Sequence, residues 1–367
     1  MGGLKVAFDH EIFTRQKMGG ISRYFFHLID ELCHLGVEAH VYAPFHANDI
    51  LGQLSKAKIH GIPLGANFYT YKGGFIYLNH LLNRLQILQD RPDVIHETYY
   101  AASANLGTKS PIIITVHDFV HEKYPDLFSS GDNTTALKRK AIGRAQHIIC
   151  ISENTKNDLL HYYPSAAGKA SVIYHGTTPL PIAPNPWVHA PHKPYFLYVG
   201  GRMPYKNFHV LLRAFASDSQ LKQTFDLVAF GGGAFSNEEK NLIKSLGISP
   251  NVRQTQGSDS ELQYAYANAT ALVYPSLYEG FGFPPLEAMH ADCPVILSNA
   301  SCLPEVAGNA ALYFDPFEEA SLAEAMLRIA NDESLRTGLI ALGKSHVLQY
   351  SWAKTASKTL DLYGKII

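Results

Sequence analysis

Short apolar runs recur along the first half of the chain: LKVAF at 4–8, VEAHVYA at 37–43, DVIHE at 93–97, PIIITVHD at 111–118, HIICIS at 147–152 and SVIYHG at 171–176. Each is followed by a turn and then by a segment with helical spacing. Runs of this kind fit strands buried on both faces, and their alternation with helical segments predicts a parallel sheet covered by helices on both sides. After residue 194 the pattern restarts with PYFLYVGG, FDLVAFGG, NVRQTQG, ALVYPS, CPVILS and AALYF, with helical segments NFHVLLRAFAS and DSELQYAYANA between them. Two doubly wound, Rossmann-like α/β domains are expected. Between them PLPIAPNPWVHAPHKP, residues 179–194, carries six prolines, a density that strand and helix interiors do not accept, and reads as a linker. The expected organisation is a first domain over 1–178, the linker over 179–194, a second domain over 195–348, and an amphipathic closing helix over 349–367 in which Trp352, Leu360 and Tyr363 offer a buried face.

Length and charge limit the partners. At ~150 residues per domain, the 367 residues give about two and a half domains. With 31 Lys and Arg against 32 Asp and Glu, the net charge is −1, which argues against a protein held to nucleic acid backbones. No run approaches the ~20 apolar residues of a membrane span, and the start, MGGLKVAFDHEIF, turns acidic too soon for a secretory leader. The cytoplasm is the expected location. The four cysteines, Cys33, Cys150, Cys293 and Cys302, form no CxxC pair and are expected as buried, reduced thiols. HDFVHE at 117–122 lacks the HExxH spacing, and no metal is expected. KRKAIGR at 138–144 places four cations on a helix, either a solvated face or a contact for anionic lipid. FIYLNHLLNRLQIL at 75–88 is apolar enough for lipid or for the core, with packing the default.

Candidate chemistry concentrates in ALVYPSLYEGFGFPPLEAMHADCPVI, residues 271–296. A strand ends near Tyr274, a Gly and Pro loop follows, and a helix is expected to begin around Pro285 and Leu286, because proline suits the first turn. Glu279 lies in the loop and Glu287 in the first helical turn, with seven residues between them. Free amides at the helix start suit a phosphate, Gly280 and Gly282 let backbone approach a ligand, and a carboxylate there accepts hydrogen bonds from sugar hydroxyls. Either glutamate alone also fits simple helix-dipole capping.

EGFGFPPLE closely resembles the E-x7-E motif of the retaining glycosyltransferases of family 4, whose GT-B fold places two Rossmann-like domains about a cleft and returns a C-terminal helix to the first domain. The resemblance continues through MGGISRYFFHLIDEL near the start, VHDF at 116–119, ISENTKNDL after residue 150, YVGGRMPYKNF after the linker, and the closing YSW helix. YVGGRMPYKNF looks most like mannosyltransferases and related enzymes that build bacterial surface polysaccharides from GDP-sugars. The resemblance implies a hexosyltransferase moving mannose or a related sugar from a GDP-linked donor to a glycan or lipid-linked glycan, by front-face attack and without metal or other cofactor. Lipid-linked acceptors would bring the enzyme into peripheral contact with a membrane surface. The alternatives are a UDP- or dTDP-sugar transferase of the same family, a GT-B sugar-nucleotide epimerase, and a non-catalytic sugar-nucleotide sensor.

On the same resemblance, Glu287 holds the donor ribose and Glu279 the donor sugar, assisted by Phe281, Gly282 and Phe283, with Leu286 beside them. Arg202 and Lys206 follow the first strand of the second domain, where two cations grip a diphosphate or stand solvated. The family places its Arg one residue earlier, at the position that Gly201 fills here. Gly19 and Gly20 at a helix start offer amides to an anion or make a plain turn, and the resemblance puts this loop against the donor diphosphate. Arg23 supports it or is solvated. His117, at the end of the PIIITV strand, is a sugar-contacting or a structural imidazole by its residues alone, and the resemblance selects donor contact. Asp118 orients it or caps the next turn. Gly231 and Gly232 resemble the family's Gly-rich turn beside the nucleotide; Ser236 stands where a dinucleotide fingerprint needs glycine, so NAD is a poor fit. Gln256, followed by Gly257 and Ser258, suits a nucleobase contact or a plain loop.

Overall fold

The structure, a computed structural model, describes residues 3–65, 68–101, 107–182, 187 and 190–367, with side chains of the helix Phe68–Asp90 described from residue 74. The chain divides into two units, Met1–Gly176 together with Ser351–Ile367, and Thr177–Tyr350.

In the first unit, β1 (Lys5–Phe8), β2 (Glu38–His46), β3 (Lys58–Pro63), β4 (Val94–Glu97), β5 (Ile112–Val116), β6 (His147–Cys150) and β7 (Ala170–Val172) form one sheet in the order β3-β2-β1-β4-β5-β6-β7. All its pairings are parallel. The second unit repeats the plan with β8 (Tyr195–Val199), β9 (Asp226–Phe230), β10 (Val252–Thr255), β11 (Ala271–Tyr274), β12 (Val295–Ser298) and β13 (Leu312–Phe314), in the order β10-β9-β8-β11-β12-β13 and again parallel. The central strands are fully buried, as runs such as IIITV, YFLYV and VILS require once helices cover both faces. Strand order reverses between β1 and β4 in one sheet and between β8 and β11 in the other. These are the switch points outside whose carboxyl ends ligands bind in doubly wound folds.

The closing helix Trp352–Ile366 belongs to the first unit. It packs on the helix Gly20–His34, with His27 stacked on Trp352 at 4.8 Å between ring centroids. Its Tyr363 hydroxyl meets buried His96 Nδ1 at 2.7 Å.

Several expectations change. Residues 183–186 and 188–189 of the expected linker lie outside the described residues, but Trp187 is buried against Tyr195 and Phe230 and belongs to the second unit. β3 was not foreseen, because KIHGIP is a largely exposed edge strand without an apolar run. The KRKAIGR cations are not one solvated face: Lys138 is buried on Glu122 at 2.7 Å, and Arg144 is paired with Glu97. Residues 75–88 pack only in part, with Ile87 fully buried and Phe75 against Phe45. Tyr77, Leu78, Leu81, Leu85 and Leu88 are exposed, while Asn79 and Asn83 are buried. Asn79 faces inward because its amide bridges the β2 backbone, accepting from Phe45 N at 2.9 Å and donating to Phe45 O at 2.8 Å. The cysteines are free thiols, with Cys33 half-buried and the others buried.

Candidate active site

At the switch point of the second sheet, β8 leads into Gly200–Met203 and the single turn Pro204–Lys206, while β11 ends at Tyr274 and leads to Glu279. These two excursions meet. Lys206 Nζ donates to both carboxylate oxygens of Glu279, at 2.6 and 2.8 Å, and lies 3.4 Å from the Tyr274 hydroxyl. Glu279 is itself held: its amide donates to Ser301 Oγ at 3.2 Å, and its carbonyl accepts from Ser301 Oγ at 2.7 Å and from Cys302 Sγ at 3.2 Å. Burial and the adjacent carboxylate push the Tyr274 hydroxyl well above its usual pKa, so it stays a donor.

The following helix spans Phe283–His290, starting two residues before the expected Pro285. Its N-cap, Gly282, has φ 90°, a left-handed conformation that favours glycine. Phe281 packs edge-on to Phe283 and to Tyr350, and Leu286 is fully buried beneath the turn. Glu287 therefore sits in the second helical turn rather than the first, where its Oε2 accepts from the Tyr266 hydroxyl at 3.0 Å.

Arg202 takes a different place from Lys206. Its Nε donates to Glu239 Oε1 at 2.7 Å, Nη1 to Gly231 O at 3.1 Å, and Nη2 to Gly233 O at 2.9 Å and Ala234 O at 3.0 Å. The guanidinium also lies over Phe208 and Phe235, and its side chain is only 4% exposed. The glycine turn it clamps is unusual, for Gly231, Gly232 and Gly233 all have positive φ. A Cβ on Gly232 would fall 2.6 Å from Arg202 Nη1 and 2.7 Å from Gly200 O. Gly201, Arg202 and Gly232 border a cavity of about 650 Å³. Gln256 borders another of about 670 Å³, together with Trp187, Arg253 and Gln254. Ser258 caps the next helix, accepting from Glu261 N at 3.3 Å.

In the first unit, His117 follows β5 and is buried against Tyr24, Phe25 and His175. Burial lowers its pKa to about 4, and among the described residues its Nε2 has no hydrogen-bond partner. Asp118 caps the next turn, accepting from Val120 N at 3.1 Å. Gly19 N–H donates to Ser22 Oγ at 3.0 Å and Ser22 N–H to Gln16 Oε1 at 3.3 Å, so the chain caps much of this helix start, which begins with Gly20, by itself. Arg23 lies at 3.6 Å from the Met18 sulfur.

Sequence reasoning passed over the residues after β1. Asp9 accepts from Thr98 N at 2.8 Å and Thr98 Oγ1 at 2.6 Å, which ties the end of β1 to the end of β4, and burial raises its pKa to about 6. His10 and Glu11 are each 1% exposed. The signal was present as three consecutive titratable residues, DHE, ending a buried strand.

Known proteins give the same two-part division. A model described as Glycosyltransferase Family 4 matches residues 18–179, and one described as Glycosyl transferases group 1 matches 182–346. The chain belongs to the family 4 glycosyltransferases. It is 32% identical over 219 residues to the O-antigen chain mannosyltransferase RfbU of Salmonella typhimurium, covering 59% of this chain and 60% of that one. It is 33% identical over 180 residues to O-antigen chain mannosyltransferase B of Escherichia coli, covering 46% and 45%. The chain thus spans less than two thirds of the length of either relative. Sucrose-phosphate synthase from Thermosynechococcus elongatus superposes with a TM-score of 0.76 at 20% identity, over 99% of both chains. That likeness identifies the fold as GT-B.

Proposed function

We propose that this family 4 glycosyltransferase is a retaining hexosyltransferase that moves mannose or a related sugar from a GDP-linked donor to a glycan or lipid-linked glycan of a bacterial surface polysaccharide. The observation that carries the reading is the Lys206–Glu279 pair at the second switch point, followed by the amides of Phe281, Gly282 and Phe283 and by Glu287. The mannosyltransferase likeness of the relatives supports the choice of sugar.

Lys206 and Glu279 neutralise each other before the donor arrives. The donor trades partner for partner: its diphosphate takes the Lys206 ammonium, its sugar hydroxyls donate to Glu279, and its ribose hydroxyls donate to Glu287. Charge-assisted contacts of this kind contribute about 1.5–3 kcal/mol each, and the one to Lys206 strengthens as charge develops on the leaving oxygen. The acceptor hydroxyl forms its bond to the anomeric carbon on the face from which the diphosphate departs. The departing phosphate oxygen receives the hydroxyl proton, and configuration is retained. His117 is the first unit's candidate for stabilising positive charge at that carbon, since an uncharged imidazole offers a lone pair. Arg202 positions the glycine turn through its carbonyls. No metal is needed in this scheme, because Lys206 supplies the neutralising charge.

A lipid-linked acceptor would bring the chain to a membrane surface. No helix among the described residues is long and apolar enough to cross one, while the exposed row Tyr77, Leu78, Leu81, Leu85 and Leu88 supports peripheral contact.

The test is transfer from GDP-mannose to purified acceptor glycan. Lys206→Ala and Glu279→Ala should each reduce kcat by at least ~100-fold with unchanged circular dichroism, and an unimpaired double variant would overturn the reading. Binding of GDP, UDP, dTDP and ADP should favour GDP. A preference for UDP would replace the donor, and change of the sugar nucleotide without acceptor would replace transfer by epimerisation.

A further inference from the structure

The switch point of the first sheet gathers side chains that the transfer scheme leaves unused. Asp9, His10 and Glu11 follow the end of β1, Glu11 opening the short helix Glu11–Arg15, and His80 arrives from the helix Phe68–Asp90. Among the described residues, His10, Glu11 and His80 form a group whose ligand atoms all lie within 4.8 Å of one another. Glu11 Oε1 is 3.3 Å from His80 Nδ1 and 3.8 Å from His10 Nε2. Ligands bound at ~2.0–2.1 Å to a tetrahedral ion stand ~3.3 Å apart, so the Glu11–His80 edge already has that length and no other edge exceeds 4.8 Å.

The remaining hydrogen bonds leave these atoms pointing at each other. Glu11 Oε2 is taken by Arg15 Nε at 3.0 Å, and among the described residues Oε1 has no hydrogen bond. His10 Nδ1 lies 3.2 Å from Thr14 Oγ1, and Nε2 has no hydrogen bond among the described residues. With Nδ1–H donating to Thr14, the Nε2 lone pair faces Glu11 Oε1, acceptor against acceptor. Asn79 Nδ2 donates to Thr14 Oγ1 at 3.0 Å and holds this hydroxyl in place. Such an oxygen on the far nitrogen is the outer contact that fixes the ring of a metal-bound histidine. Buried acceptor atoms without a hydrogen bond are destabilising, and a cation between His10 Nε2 and Glu11 Oε1 would satisfy both. The Asp9 Oδ2 atom, also buried without a partner, adds to the same deficit. His80 stands edge-on to His10 at 4.9 Å between centroids and is 31% exposed, which leaves an entry path and room for water.

We propose that His10, Glu11 and His80 bind a divalent transition-metal ion of the zinc class, through two imidazole nitrogens and one carboxylate oxygen, with solvent completing the coordination. Imidazole nitrogens select zinc, cobalt or nickel over calcium or magnesium, which prefer all-oxygen sites. The ligands come from a strand end and a distant helix, so no HExxH spacing announces them. Its three ligands belong to the first unit and share no residue with the Lys206–Glu279 pair of the second, so its failure would leave the transfer reading untouched.

The test titrates the full chain, stripped with chelator and dialysed, with Co²⁺ followed by its visible absorption. The expected result is one saturable equivalent with the intense absorption of a low-coordinate ion, displaced by Zn²⁺. Glu11→Gln, which keeps the shape beside Arg15, and His80→Gln, at a partly exposed position, should each weaken binding by ~100-fold or more, at or beyond the loss seen for outer contacts. Absence of saturable binding in the unaltered chain would overturn the proposal. So would equal binding by the chain and both variants, because the ion would then sit on other histidines.

Discussion

The two switch points occupy equivalent places in two sheets of the same design, and their electrostatics are opposite. At the second, Lys206 pairs with Glu279, Arg202 with Glu239, and the Tyr266 hydroxyl donates to Glu287. At the first, and at the end of β5 nearby, Asp9 Oδ2, His10 Nε2, Glu11 Oε1 and His117 Nε2 are buried without hydrogen bonds among the described residues. A site whose charges satisfy one another stands without its ligand and exchanges partners when the ligand arrives. A site of orphaned acceptors stores destabilisation that a ligand relieves, and it depends on its histidines staying neutral.

The comparison breaks most readily with pH. Burial lowers the His96 pKa from its ordinary 6.5 to about 3 and that of His117 to about 4. Between these values and 6.5 the unfolded chain binds protons that the folded first unit does not, so stability falls as pH falls. The loss from pH 7.5 to pH 5 should be about 2 kcal/mol for each histidine, read by urea titration. His117→Asn should shrink the measured loss by about 2 kcal/mol, the other buried histidines keeping their share, and an unchanged loss would mean that His117 is protonated in the folded state.

The clamp on the glycine turn gives the next effect. Arg202→Met leaves Glu239 without its partner and frees four hydrogen-bond positions, at a cost of about 3 kcal/mol, the low end for breaking a buried pair because Glu239 is partly exposed. Urea midpoints measure this. If stability is unchanged while kcat falls, Arg202 acts on the diphosphate directly.

The smallest effect sharpens the role of Glu287. Tyr266→Phe removes one donor from its carboxylate, which should cost about 1 kcal/mol of stability. Donor KM should change more than kcat, because the ribose lies away from the reacting carbon. Steady-state kinetics with varied donor separates the two.

Much of the fold was legible because parallel strands covered on both faces must be apolar throughout. IIITV, YFLYV and VILS therefore stand out, whereas the exposed edge strand KIHGIP carries no such requirement. The spacing of Glu279 and Glu287 is readable because both follow from one strand, one loop and one helix, whereas Lys206 stands on the separate turn after β8. Arg202 was legible as a residue but not as a clamp, since its partners come from the turn after β9 and from a capping glutamate further on. The inward-facing Asn79 and outward-facing Leu81 depart from the packing expected over residues 75–88, which Ile87 keeps, because a side-chain amide satisfies the backbone of β2 there.

The sequence by itself determined two doubly wound α/β units and the family. Local periodicity and loop composition are properties of neighbours in the chain, and they survive without knowledge of the fold. The tertiary structure alone decided which charges are spent on each other. Lys206 meets Glu279, Tyr363 meets His96, and His80 meets Glu11 only because separate strand ends and helices converge. Hydrogen bonding and burial depend on that convergence, so they decide which groups are structural and which still lack a partner.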